Sequence, residues 1–285
     1  MTLCKGQVRA DMYGLGIRIS SYVQWSAAIV FQRKGPKSLP EIRLLGLLLS
    51  GGVTIGLLHQ TGQGKLDAAA IYILLLLATG PHMFLVPVYM WRALTCFDPL
   101  WNPLRGYQEE QLRAFRVLNM VLILTASSVG VWFYTTHLPA LNRDCVQYGF
   151  LFGKATLDDN APFAALNALL YLLMLLTERF ERMRGPHTLS NLAVFAVLVA
   201  AVELPVRWNE LWASNRIDSS AQVIPLLFSI GIVVRVTYLH NAEDGDEEAS
   251  TVVPLAGVAG GTEWSLGMPQ QIPTAYLARG ARRVR

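Results

Sequence analysis

Apolar residues fall into seven long runs separated by short polar connections: about Tyr13–Gln32, Leu44–His59, Ala68–Trp91, Val117–Thr136, Phe163–Thr177, Ser190–Val206 and Ala221–His240. A helix rises about 1.5 Å per residue and a bilayer's hydrocarbon core is about 30 Å thick, so roughly 20 residues cross it. The pattern predicts an all-α polytopic membrane protein, a seven-transmembrane-helix bundle over residues 13–240. Residues 1–12 precede it and a disordered tail, 241–285, follows. The runs starting at Leu44 and Phe163 are short, and are expected to tilt in packing or to extend into their flanks.

Composition changes this picture little. The apolar fraction is 53% and the charged fraction 15%, well under the roughly 25% of soluble domains. The net charge of +4 does not point to nucleic acid, because the basic residues sit in short connections rather than on a continuous face. Their placement predicts orientation. Arg33, Lys34, Lys37, Arg43, Arg92, Arg105, Arg113, Arg116, Arg179, Arg182, Arg184 and the tail arginines share one side, expected to be cytosolic. Lys5, Arg9, Lys65, Arg143, Lys154, Arg207 and Arg216 share the other. The N-terminus is then lumenal and the C-terminus cytosolic, with the endoplasmic reticulum as the expected membrane. The first run carries Arg18 and no cleavage site, so it is expected to act as an uncleaved signal.

The connections differ in character. Residues 92–116 hold Pro99, Trp101 and Pro103, then a stretch from Tyr107 to Phe115 that reads as a short interfacial helix. Residues 137–162 form the main lumenal loop, with Tyr148, Phe150, Phe152, Asp158 and Asp159. The tail opens on the acidic run Glu243–Glu248, turns Gly-, Pro- and Ala-rich, and ends in arginines, a composition that buries no core. Of the three cysteines, Cys4 and Cys145 fall on the lumenal side and Cys96 on the other. A Cys4–Cys145 bridge and two free thiols are both open there. No metal site and no cofactor are predicted: no CxxC, His/Cys cluster, phosphate-binding Gly-rich loop, HExxH or Asp-rich diphosphate motif occurs.

Ionisable groups inside apolar runs are expensive unless paired or facing a pocket, so each is a candidate. Glu203 stands near the end of the sixth run, with Arg207 one turn on at i,i+4 and Pro205 between them, which removes a backbone donor near Ala201. It is open whether Glu203 and Arg207 are a structural pair or part of a polar pocket with Trp208 and Asn209. In the first run Asp11 and Arg18 lie on one stripe with Tyr22 and Trp25. Arg18 sits roughly 10 Å deeper than Asp11 and must point into the bundle, towards Glu203 or back to Asp11. Gln24 lies deeper still, Gln222 and Pro225 begin the seventh run, and His82 beside Pro81 reads as a packing residue. Trp25 and Trp208 are candidates for lining a cavity; Trp132, Phe133, Tyr134 and Trp212 fit an interfacial belt.

Two stretches resemble a known group. Ala10–Trp25 reads Ala-Asp-Met-Tyr-Gly-Leu-Gly-Ile-Arg and ends on Gln-Trp. It is similar to the opening of a large group of fungal seven-span membrane proteins. Val202–Asn209, followed by Ser220–Pro225, resembles that group's second signature, with Ser-Ala-Gln where the group tends to Gly-Gln and Pro205 where Thr is commoner. A subset of the group resembles the membrane-bound terpene cyclases of fungal meroterpenoid pathways, of the ascochlorin, ascofuranone and macrophorin type. The resemblance implies closure of a farnesyl chain on a phenol or quinol, by protonating an alkene or epoxide. The partner would be a lipophilic prenylated small molecule entering from the membrane lipids. Glu203 would be the proton donor, Asp11 the reserve, and Arg18, Tyr22, Trp25, Arg207, Trp208, Asn209 and Gln222 the pocket. A non-enzymatic transporter, receptor or structural membrane protein would use the same polar groups, and the sequence leaves oligomeric state open.

Overall fold

The computed structural model describes residues 2–3, 9–34, 39–87, 90, 113–140, 145–157, 160–177, 188–217 and 219–251. They are mostly helical, and a helix occupies each apolar run. After the single turn α1 (Ala10–Tyr13) come α2 (Leu15–Lys34), α3 (Leu39–Gly62), α4 (Ala68–Met83), α5 (Arg113–Trp132), α6 (Ala161–Thr177), α7 (Thr188–Trp208) and α8 (Ser220–Thr251). Among the described residues four helices are long and apolar enough to cross a membrane: Pro40–Gly62, Ala114–Ala140, Ser190–Trp208 and Ser220–Leu239. They mark the chain as a multi-pass membrane protein. Residues Met1–Glu243 make one compact unit and Asp244–Arg285 a second.

Burial sorts the helices. In α4 every residue except Pro81 is buried, as befits a helix apolar on all sides at the centre of a bundle. At the other extreme only 17% of the Ser220–Leu239 span is buried, and Leu227, Phe228 and Val234 stand exposed. On α5 the outward face carries Val117, Leu118, Met120, Val121 and Leu124. In water such faces would be unsatisfied apolar patches; against acyl chains they cost nothing. An aromatic cluster fills the core where α4, α5 and α6 meet: Tyr134 packs on Phe163 and Tyr171, and Phe163 on Tyr72.

Some expectations are met and others corrected. The run at Leu44 does extend into its flanks, one of the two expected outcomes: α3 has 24 residues, with Pro40 in its first turn, where a missing N–H costs nothing. The run at Phe163 is short as expected, with 17 residues in α6, and α4, with 16, is unexpectedly short as well. Pro81 removes a donor from the last turn of α4 and Leu85 N–H folds back on the His82 carbonyl at 3.0 Å, so α4 ends at Met83, and helical backbone resumes at Val86 and Pro87. Pro205, by contrast, does not break α7, which runs on to Trp208. α8 continues to Thr251 and so carries the acidic run expected in the tail. Beyond Trp132, α5 widens into a π-helix over Phe133–His137, then resumes at Leu138–Ala140. The register shift turns Phe133 and Tyr134 both inward, 0% and 2% exposed, instead of into an interfacial belt.

The loop after α5 is not plain loop. A strand at Thr2–Leu3, β1, pairs in parallel with β2 at Cys145–Val146, Thr2 opposite Cys145. The hairpin of β3 (Tyr148–Phe150) and β4 (Lys154–Thr156) follows, with Gly149 opposite Ala155. This pairing puts the N-terminal residues and the Cys145 loop at one end of the bundle. Cys4 and Cys96, Pro99, Trp101 and Pro103, the start of the interfacial stretch at Tyr107, Asp158, Asp159 and residues 252–285 lie outside the described residues.

Candidate functional site

The site is built where α2 meets α7 and α8. Close approach comes first. A Cβ on Gly16 would lie 2.5 Å from the Gln222 carbonyl oxygen, and one on Gly14 would overlap the Gln222 side chain. Two glycines two residues apart, Gly14 just before α2 and Gly16 in its first turn, therefore let the start of α2 lie directly against the first turn of α8. Gly16 N–H donates to Gln222 Oε1 at 3.4 Å, and Ser20 Oγ donates to the Pro225 carbonyl at 3.0 Å and meets Ser229 Oγ at 2.6 Å. The Gly-x-Gly of the first stretch and the Gln of the second are thus two halves of one contact.

One turn deeper, Arg18 is fully buried. Its Nη1 donates to Glu203 Oε2 at 2.5 Å and its Nη2 to Asn215 Oδ1 at 2.5 Å. Tyr22, one further turn along α2, donates its hydroxyl to Glu203 Oε1 at 2.8 Å. Both carboxylate oxygens are held from α2, yet 39% of the Glu203 side chain stays exposed. The guanidinium is therefore sunk in protein while the carboxylate keeps an open side. Trp25 sits 5.6 Å from Tyr22, ring to ring, and is 3% exposed. A Cβ on Gly80 would overlap its indole, so that glycine makes the slot for the ring.

The remaining predicted residues take other roles. Asn209 caps the end of α7 and pins the hairpin. Its Nδ2 donates to the carbonyls of Tyr148 and Pro205, each at 2.8 Å, and its Oδ1 accepts from Tyr148 N–H at 2.8 Å. Trp208 stacks on Phe150 with ring centroids 6.4 Å apart, so it supports the hairpin rather than the Glu203 pocket. Arg207 is exposed and makes no ion pair with Glu203 among the described residues. The i,i+4 spacing permits that pair, but Glu203 turns inward to α2, and a long cationic chain at a helix end reaches outward to polar surroundings. Asp11 is exposed as well, and Arg18 has Glu203 and Asn215 in its place. Gln222 is buried, held through Oε1 as above.

Asn215, in the turn Trp212–Asn215 after α7, was not foreseen. Nothing in the spacing of a polar loop marks one amide as the second acceptor of a distant arginine. The hairpin anchors also escaped the sequence reading, among them Gln147, whose Oε1 accepts from Ala69 N–H at 2.8 Å at the start of α4. Among the described residues no group of His, Cys, Asp and Glu side chains could hold a metal ion. No family model, no curated protein and no solved structure matches this chain.

Proposed function

We propose that the protein is a seven-span membrane enzyme, a terpene cyclase that closes a prenyl chain carried by a phenol or quinol. In this reading the N-terminus is lumenal, the tail cytosolic, and the membrane that of the endoplasmic reticulum. One observation carries it: Glu203 is a carboxyl group within an apolar bundle, fixed at both oxygens by Arg18 and Tyr22 and still open on one side. Glu203 as the carboxylic acid gives its proton to an alkene carbon or an epoxide oxygen of the chain. The next double bond attacks the cation formed and makes the ring bond. A neighbouring C–H proton returns to the Glu203 carboxylate, so the reaction is a net isomerisation. The Tyr22 ring lies beside the carboxyl with Trp25 packed against it, and an aromatic ring offers cation–π stabilisation of about 0.5–2 kcal/mol. The lipophilic substrate enters sideways from the lipid.

The Arg18 contact favours a second reading. An ion-paired carboxylate is a hydrogen-bond acceptor only. Such a group holds a ligand hydroxyl without turning it over, as a transporter or receptor requires. Microsomes from a host expressing the protein, fed with farnesylated phenols, separate the two. The charge-neutral double variant Arg18→Met/Glu203→Gln removes the acid without stranding the guanidinium. The cyclase reading expects cyclised product from the wild type and at least ~100-fold less from the double variant, the low end of a general-acid contribution. Product formed equally by both removes Glu203 from the chemistry. Saturable binding of the phenols with no product from the wild type favours the transporter or receptor.

A further inference from the structure

The hairpin at the end of the bundle carries the most exposed large apolar side chain among the described residues: Phe152, at 84%. Its backbone stands out as well. φ is 52°, in the left-handed region that favours glycine, although Gly153 is the next residue. Leu151 before it packs against the core, and Leu151 N–H donates to the Gly153 carbonyl at 3.0 Å, which shuts the turn and leaves the Phe152 ring outside. A bulky residue held in that region is strained, and such strain points to a use for the side chain it presents.

Where the tip lies follows from what the strand before it holds. Gln147 Oε1 accepts from Ala69 N–H in the first turn of α4, and Tyr148 and Asn209 exchange hydrogen bonds at the end of α7. The Phe150 carbonyl accepts from the Tyr72 hydroxyl at 3.2 Å, and a helical side chain leans towards the N-terminus, so this hold too is at the start of α4. Gly149 rests on the ring of Phe163, the third residue of α6. Each hold is at a helix end, so β3 lies across the end of the bundle, along the membrane plane. The span that ends at Trp208 has 19 residues, about 28 Å of helix, against a hydrocarbon core of about 30 Å. Trp208 therefore stands at the edge of the hydrocarbon. Three rings lead outward from it: Trp208 to Phe150 at 6.4 Å and Phe150 to Phe152 at 6.2 Å, the first two half-buried and the third exposed.

We propose that this tip is an interfacial anchor, with the Phe152 ring inserted into the headgroup layer of the lipid around the hairpin end of the bundle. In water the ring would add apolar surface to a strained backbone; among the upper acyl chains it is removed from water. A cation accompanies it, as that layer favours: Lys154 is exposed, its Nζ 3.7 Å over the Tyr148 ring. Phe133 and Tyr134, expected in an interfacial belt at this end, turn inward, and Phe152 takes that place. The anchor is independent of the Glu203 reading.

The test uses the full-length protein with trifluoromethyl-phenylalanine in place of Phe152, introduced by amber suppression, in phosphatidylcholine nanodiscs. Lipid carrying a nitroxide at the top of its acyl chain should broaden the fluorine resonance beyond detection, and lipid carrying it at the far end of the chain should broaden it less. A resonance that survives the upper nitroxide overturns the proposal. If a gadolinium chelate in the water then broadens it, the ring faces water, where a soluble partner could reach it; if the chelate leaves it sharp, the ring lies under protein. Stronger broadening by the far-end nitroxide than by the upper one overturns the proposal as well, because the ring would then lie in the hydrocarbon.

Discussion

The two polar places along α2 contrast sharply. At Arg18 the hydrogen bonds run to partners supplied by the chain itself: Glu203, Asn215 and, through the same carboxylate, Tyr22. At Gln24, on the same helix, a buried amide meets neither of its needs among the described residues. The first place is a largely closed network, whose members hold one another in position, although the carboxylate keeps an open side and Arg18 Nε has no hydrogen-bond partner among the described residues. The second is a solitary amide. A polar group in an apolar bundle is answered from within the fold or left unanswered, and the difference is read from the hydrogen-bond tally rather than from residue type.

The comparison breaks hardest at Glu203. Glu203→Gln alone leaves a buried guanidinium without counter-charge and should destabilise the protein by about 3–5 kcal/mol. Arg18→Met in the same background should recover much of that loss, because the stranded charge is gone. Thermal unfolding of the single and double variants in detergent checks this; additive losses would mean that the two residues do not act as a pair. Next in size is Gly16→Leu. It overpacks the contact with Gln222 and should cost about 1–3 kcal/mol, with a lower unfolding temperature. Full retention of stability would show that α8 is not seated on that glycine.

Gln24→Met sharpens the comparison by its sign. Removing an unanswered amide in favour of an apolar chain of the same shape should leave stability unchanged or raise it by about 1 kcal/mol. A marked fall would place Gln24 among the answered groups. The smallest effect belongs to Arg207→Ala and Asp11→Asn. Both residues are exposed, so each change should stay within about 0.5 kcal/mol, and a larger loss would reinstate the i,i+4 pair or the Asp11–Arg18 pair.

Much of the architecture was legible because hydropathy along a helix is a local property. The apolar runs announce the helices, and the cost of a buried arginine demands an inward partner, which identified Glu203 as a candidate for Arg18 across most of the chain. Helix ends were less legible. Pro40 lengthens α3 and Pro81 shortens α4, although both are prolines in apolar surroundings; position within the turn decides, and the apolar pattern does not mark it. Arg207 misled because spacing on one helix says which side chains can meet, not which way they turn. Asn215 and the hairpin gave no signal, since a loop's contacts depend on where the chain returns. Gln24 was visible as a polar residue in an apolar run, but its lack of partners is a property of the packed bundle.

The Arg18–Glu203 pair also has a history in time. Its members are 185 positions apart in the chain. At about 5–20 residues per second, the ribosome delivers the carboxylate roughly 10–40 s after the guanidinium. For that interval the first long helix has an arginine on its inner stripe and no acid to receive it. β1 waits too, since its partner strand at Cys145–Val146 comes 143 positions later, from Thr2 to Cys145. β1 and α2 are therefore seated only after later segments have been made. Mistakes in assembly should gather around α2, held in reach of quality control until α7 arrives to claim it.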